Sequence, residues 1–199
     1  RLAVDVLTKH GFEFDFVDTR FLDKIEKKIK PNTRWVFLET PTNPLLELCD
    51  INKVSTLCKK RSIKLAVDNT FMSPYGQSPL NLGADIIMHS ATKYIGGHSD
   101  LIAGVLITNN DLIAEQLYFI QKSAGAVLSP FDSWLLLRST KTLGIRVQKQ
   151  SDNAIELAHR LNKHSKISSV IYPGLESHDQ FKLASIQQLN PKGDSIYGS

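Results

Sequence analysis

The sequence predicts an α/β fold built on a mostly parallel sheet flanked by helices. Two observations carry this. Short apolar runs of strand length recur at residues 35–38, 63–67, 84–88 and 101–107. Between and after them lie segments whose apolar residues are spaced three to four apart, as on one face of a helix. Strands alternating with helices imply parallel pairing with both faces of the sheet covered.

Taken in order, Leu2, Val6 and Leu7 suggest a helical start. Phe12, Phe14 and Phe16 alternate with Glu13 and Asp15, a period of two that predicts a strand. Phe21, Leu22, Ile25 and Ile29 then recur at helical spacing, with Asp18 or Thr19 at the cap position and Pro31 beyond the end. Trp35, Val36, Phe37 and Leu38 read as a buried strand. Asp50 is placed to cap a helix carrying Ile51, Val54, Leu57 and Cys58. Strands follow at 63–67, 84–88 and 101–107, then two long helical stretches at 111–122 and 132–164, and a last strand near 170–172.

The chain has 199 residues, 42% of them hydrophobic, enough for one sizeable core and part of a second. Its longest apolar run is far too short to span a bilayer, which predicts no membrane partner. No signal-peptide pattern or glycosylation sequon occurs. Cys49 and Cys58 match no zinc spacing and make no disulfide framework, so both are expected reduced, in a cytoplasmic protein. The balance of 24 Lys+Arg against 20 Asp+Glu is mild. Lys27, Lys28 and Lys30, and Lys59, Lys60 and Arg61, are not interleaved with aromatics. They read as solvated helix faces rather than a nucleic-acid site. The sequence opens at Arg1 and closes without a stopping signal, so both ends are expected to be cut.

In such sheets ligands bind beyond the carboxyl ends of the strands, so the strand exits matter most. The first is Glu39-Thr40-Pro41-Thr42-Asn43-Pro44, where two prolines stiffen the loop and Asn43 offers a donor and an acceptor. Alone it reads first as a plain Pro-Asn turn. The second is Val67-Asp68-Asn69-Thr70. A carboxylate ending an apolar strand must be exposed, paired or hydrogen-bonded. Asp68 fits either a charged partner in a ligand site or a turn cap.

The third exit, His89-Ser90-Ala91-Thr92-Lys93-Tyr94 followed by Gly96-Gly97-His98-Ser99-Asp100, places two hydroxyls just before a lysine. Hydroxyls and loop amides suit a phosphate. Neither G-x-x-x-x-G-K-[ST] nor G-x-G-x-x-G is present, which argues against a nucleotide. Together the exits offer a lysine, a phosphate cradle and a carboxylate. Pyridoxal 5'-phosphate requires that set: an amine for its aldehyde and an acid to keep its ring nitrogen protonated.

Residues Val67-Asp68-Asn69-Thr70-Phe71, Gly83-Ala84-Asp85, Ser90-Ala91-Thr92-Lys93-Tyr94 and Gly97-His98-Ser99-Asp100 resemble the Cys/Met-metabolism, or trans-sulfuration, family of pyridoxal-phosphate enzymes. Residues 39–44, Ser133-Trp134-Leu135 through Arg138, Lys141-Thr142-Leu143 and Tyr172-Pro173-Gly174-Leu175 fit the same family, so the resemblance covers essentially the whole chain.

That resemblance implies the aspartate-aminotransferase fold type, with residues 1–145 in the large cofactor domain and 146–199 forming a linking helix and the start of a C-terminal domain. It implies Lys93 as the Schiff-base lysine and proton shuttle, and Asp68 as partner of the pyridinium nitrogen. Ser90 and Thr92 would be phosphate ligands, with Asn43 near the phenolic oxygen and Thr70 against a ring face. It implies a homotetramer acting on a small sulfur amino acid. A cystathionine lyase, of the beta or gamma kind, is expected. Cystathionine gamma-synthase or O-acetylhomoserine sulfhydrylase is the alternative, as is a non-catalytic truncated relative. The family's ring-stacking tyrosine, its neighbour-subunit phosphate ligands and its carboxylate-binding arginine fall outside the chain, which covers about half of a typical member. His89 is expected to be a packed strand-end residue, or one acting behind the site, and His98 a loop support. His10, His159, His164 and His178 show no metal spacing and read as surface residues.

Overall fold

The structure, a computed structural model, describes residues 2–198. Its centre is a four-stranded sheet in the order β1-β2-β3-β4: β1 (Trp35–Glu39), β2 (Lys64–Asp68), β3 (Ile86–Ser90) and β4 (Gly104–Ile107). β1, β2 and β3 are parallel, with Leu38 beside Val67 and Val67 beside Ile87. β4 returns antiparallel, Met88 facing Leu106. The sheet is therefore mostly parallel, as expected.

Helix α1 (Leu22–Lys28) and helix α2 (Ile51–Lys60) build the main core on one face. The Asp50 side chain accepts from the Lys53 N–H at 3.0 Å, the predicted cap. From there Ile51, Val54, Leu57 and Cys58 fall on one stripe and pack with Ile25, Leu38, Leu65 and Val67. Each such buried aliphatic side chain contributes about 1.5–3 kcal/mol of burial.

The two faces of the sheet differ in their cover within this chain. α1 and α2 both pack on the face carrying Leu38, Leu65 and Val67. The alternate residues Trp35, Phe37 and Leu106 remain 47%, 57% and 52% exposed, so β1 is buried on one side only. The predicted strand over Phe12, Phe14 and Phe16 is absent. The segment joins no ladder, and all three rings are exposed. A period-two pattern makes a strand only where an edge is available to pair with it.

α3 (Ser73–Gly76) is a single turn after β2, and α4 (Asp111–Ala124) follows β4. The long stretch expected at 132–164 is two helices, α5 (Pro130–Thr140) and α6 (Leu143–Asn162), broken at Lys141 and Thr142. Ser129 caps α5 by accepting from the Asp132 N–H at 3.0 Å. The strand expected near 170–172 is not formed. Tyr172 is instead buried against Ala158 and Leu175, its hydroxyl donating to Gly198 O at 2.8 Å. A helix not read from the sequence, α7 (Phe181–Gln187), lies beyond it. No helix among the described residues is long and apolar enough to cross a membrane.

Both basic clusters are solvated and partly neutralised: Lys27 pairs with Asp23, Lys28 and Lys30 with Asp15, and Arg61 with Glu26. Cys49 and Cys58 are free and buried.

Candidate active site

Parallel pairing brings the three strand exits side by side, and backbone bonds continue the ladder past the strand ends. Thr40 N–H approaches Asp68 O at 3.5 Å, and Asn69 N–H donates to Met88 O at 2.9 Å. The Ser90 N–H then donates to the Thr70 hydroxyl at 2.8 Å, and the Thr70 N–H to Asp68 Oδ1 at 2.9 Å. Asp68 and Ser90 thus lie on adjoining strand ends, joined through one threonine. Asp68 does cap the turn after β2, and only one of its oxygens is used for that.

Lys93 stands on a tight turn after β3. Its N–H donates to Ser90 O at 3.0 Å, and its carbonyl accepts from the Gly97 N–H at 2.7 Å. Gly97 has φ +70, a left-handed conformation that glycine adopts without strain. The Lys93 side chain is exposed, and among the described residues it has no ion-pair partner. It borders an open cavity of about 890 Å³ with Phe71, Thr92, Tyr94, Asp100 and Asp132. Asp68, Ser90, Asn43 and Thr70 are not in that cavity's wall. Asp68 shares its register row with Glu39, Met88 and Leu106, whose face is open to solvent.

The remaining expected residues differ in their freedom. The Thr92 hydroxyl is engaged with the chain: it accepts from the Ala103 N–H at 2.9 Å and faces Ala103 O at 3.3 Å. Ser90 has no side-chain hydrogen bond among the described residues. Asn43 is exposed, and its backbone lies near the Glu39 carboxyl without hydrogen-bond geometry. Glu39 is exposed by area, and partial desolvation of its carboxyl, with the Asp68 charge nearby, raises its pKa above the ordinary value.

His89 is 1% exposed, and among the described residues neither ring nitrogen has a hydrogen-bond partner. The Asn69 backbone faces the ring without hydrogen-bond geometry. Burial pushes its pKa down to about 4, opposed by the Asp68 charge, so the ring is neutral at pH 7. The expected packed position is confirmed. His98 supports its loop, Nδ1 lying 2.7 Å from Gly96 O. His178 is half-buried rather than superficial, its Nδ1 accepting from the Gln180 N–H at 3.1 Å.

Sequence reasoning missed a buried amide network behind the exits. Gln77 Nε2 donates to Thr40 O at 3.1 Å and to Asn69 Oδ1 at 2.8 Å. Asn69 Nδ2 donates to Ser73 O at 3.0 Å and Gln77 O at 2.9 Å. From α7, Gln187 donates to Cys49 O at 3.0 Å and accepts from the Ile51 N–H at 3.0 Å. Gln180 likewise bonds both backbone groups of Leu48. No local sequence signal marks these amides: Gln187 closes a helical segment that also carries Lys182 and Ser185.

The family model described as Cys/Met metabolism PLP-dependent enzyme matches residues 1–194. The chain belongs to that family. Among curated members, it is 50% identical to a probable cystathionine gamma-synthase of Herpetosiphon aurantiacus, over 94% of this chain and 59% of that protein. It is 46% identical to a cystathionine beta-lyase of Lactococcus lactis subsp. cremoris, over 94% of this chain and 49% of that protein. The crystal structure of the cystathionine gamma-lyase of Lactobacillus plantarum, complexed with L-serine, superposes with a TM-score of 0.94. That match has 40% identity and covers all of this chain and 50% of the other. The chain spans about half the length of the relatives it matches.

The family's cofactor fits the residues present. Among the described residues, an exposed amine without an ion-pair partner, a hydroxyl with its hydrogen-bonding capacity free, and a carboxylate with an unused oxygen lie on adjoining strand exits.

Proposed function

We propose that this chain supplies the cofactor lysine and the ring-nitrogen carboxylate of a pyridoxal-phosphate C–S lyase of sulfur amino-acid metabolism, acting on cystathionine. The observation that carries the proposal is the chain of contacts from Asp68 through Thr70 to Ser90, three residues before Lys93. Bound at these exits, pyridoxal phosphate would supply the electron sink that stabilises a carbanion.

The residues have these roles in the proposal. The Lys93 amine is the tether and, once freed, moves the proton at the substrate's alpha carbon. Asp68, held by the Thr70 N–H, presents its second oxygen to the ring nitrogen. The Ser90 hydroxyl is a phosphate donor. The Thr92 hydroxyl accepts from the Ala103 N–H and would turn its own hydrogen bond from Ala103 O, at 3.3 Å, to the phosphate. Asn43, on the first exit, and Thr70, on the second, would help to hold the ring.

The proposal extends to assembly and place. Exposed apolar residues on α4 and α5, among them Leu112, Phe119, Trp134 and Leu137, support a homo-oligomer, a tetramer by family resemblance. Two buried free thiols support a cytoplasmic site. A gamma-replacement enzyme is the second reading, favoured by the 50% identity to a probable gamma-synthase.

Borohydride reduction of the cofactor-loaded full-length protein, followed by peptide mapping, tests the assignment. The pyridoxyl tag is expected on Lys93, and a tag on another lysine overturns it. Products from cystathionine separate the reactions: pyruvate and homocysteine for beta-elimination, 2-oxobutyrate and cysteine for gamma-elimination. Lack of cleavage, with activity toward an activated homoserine ester and a thiol, favours gamma-replacement.

A further inference from the structure

We propose that Arg146 is a positioning residue for Lys93, acting as a clamp that fixes the lysine turn against α6. The inference rests on the assignment of Lys93 above. The Arg146 guanidinium donates to Tyr94 O at 2.8 Å, Ile95 O at 3.3 Å and Ser139 O at 3.1 Å, and its Nε donates to the Thr142 hydroxyl at 3.0 Å. Two of those carbonyls belong to the residues immediately after Lys93. They are end carbonyls of the kind a helical turn leaves without a partner.

The guanidinium has no carboxylate partner among the described residues, and burial lowers its pKa from the usual arginine value. Its donors are directed to backbone carbonyls and a hydroxyl, so its geometry follows the turn. Only a planar fork reaches this set, because a lysine ammonium at the same position is a single point donor.

Gly97 shows how closely the loop is fitted to the guanidinium. A Cβ there would lie 1.9 Å from Arg146 Nη1 and 2.5 Å from Cζ. The same glycine has φ +70 and sends its N–H back to Lys93 O. The turn is therefore closed on one side by its own hydrogen bond and on the other by the arginine. From below, Ala91, Ile95 and Leu101 pack against Leu135 and Leu136 of α5. α5 and α6 meet at residues 141–142, where Ser139 O and the Thr142 hydroxyl receive the remaining Arg146 donors. One side chain thus ties the lysine turn to the α5–α6 junction. A displacement of the amine of about 1 Å costs on the order of 100-fold in rate.

The test uses the cofactor-loaded full-length protein and its variants Arg146→Lys, Arg146→Ala and Gly97→Ala, with each melting temperature recorded. In Arg146→Lys, kcat is expected to fall roughly 10- to 100-fold with little change in KM. The pH titration of the visible band of the lysine-bound cofactor is expected to shift, and borohydride trapping at Lys93 to slow. Added guanidinium ion is expected to restore part of both in Arg146→Ala. Gly97→Ala, which keeps the arginine but displaces it, is expected to show the same spectral shift. Wild-type kcat, band titration and trapping rate in Arg146→Lys would overturn the clamp, even if Arg146→Ala failed to fold. A tag absent from Lys93 in the unsubstituted protein would instead defeat the underlying assignment.

Discussion

The hydroxyl of Thr70 accepts the backbone N–H of Ser90 at 2.8 Å, while the N–H of Thr70 is donated to Asp68 Oδ1 at 2.9 Å. One residue thereby locks the exit of β2 to the exit of β3, and the proposed acid to the segment carrying the proposed lysine. Thr70→Val keeps the shape and removes the acceptor. It is expected to cost about 1–3 kcal/mol, because the Ser90 N–H loses its partner. Thr70→Ser is expected to recover most of that. Denaturant midpoints of the two variants decide it, and equal midpoints would show that the bond carries no weight.

His89 makes stability depend on pH. Its folded pKa lies at about 4, below the ordinary 6.5, because burial disfavours the charged ring. Between those values the unfolded chain binds the proton and the folded chain does not. Stability from this group is therefore complete above pH 6.5 and is lost as pH falls toward 4. The loss amounts to roughly 3 kcal/mol, at 1.36 kcal/mol for each pH unit. Urea unfolding of the parent and of His89→Leu across this range is the measurement. The variant is expected to have the flatter profile, and identical slopes would remove His89 as the cause.

Gln187 ties α7 to the strand exits by donating to Cys49 O and accepting from the Ile51 N–H, both at 3.0 Å. Gln187→Leu leaves both buried backbone groups unpaired and is expected to cost about 3 kcal/mol. Limited proteolysis is expected to open the chain beyond residue 180 in that variant first. A cleavage pattern like the parent's would show that α7 is held without the Gln187 bonds.

The two thiols are expected to be inert in the folded protein. Burial pushes Cys49 up to about 12 and Cys58 up to about 11, so the reactive thiolate is scarce at neutral pH. Titration with an aromatic disulfide reagent is expected to register these positions only after denaturant is added. Rapid reaction in the native state would mean that the α2 face opens readily.

Local pattern was enough for much of the chain. The strands at the centre, the Asp50 cap and the buried stripe of α2 follow from periodicity and hydrogen-bond chemistry within a few residues. The lysine motif is equally local, since Ser90, Thr92 and Lys93 are neighbours in sequence.

What only the tertiary structure decided depends on partners far along the chain. Phe12, Phe14 and Phe16 alternate like a strand, yet pairing needs a free edge, and no neighbouring residue reveals whether one is reached. Arg146 finds its carbonyls 51 and 52 positions away, and Gln187 its backbone partners 136 and 138 positions away. Nothing in their local sequence marks them as different from a surface arginine or glutamine. The sequence by itself determined the strand core and the run from Ser90 to Lys93, because those are set by short-range periodicity and by chemistry among adjacent residues. Folding alone decided how the lysine turn is held and what lies behind the acid, because those contacts exist only when distant segments meet.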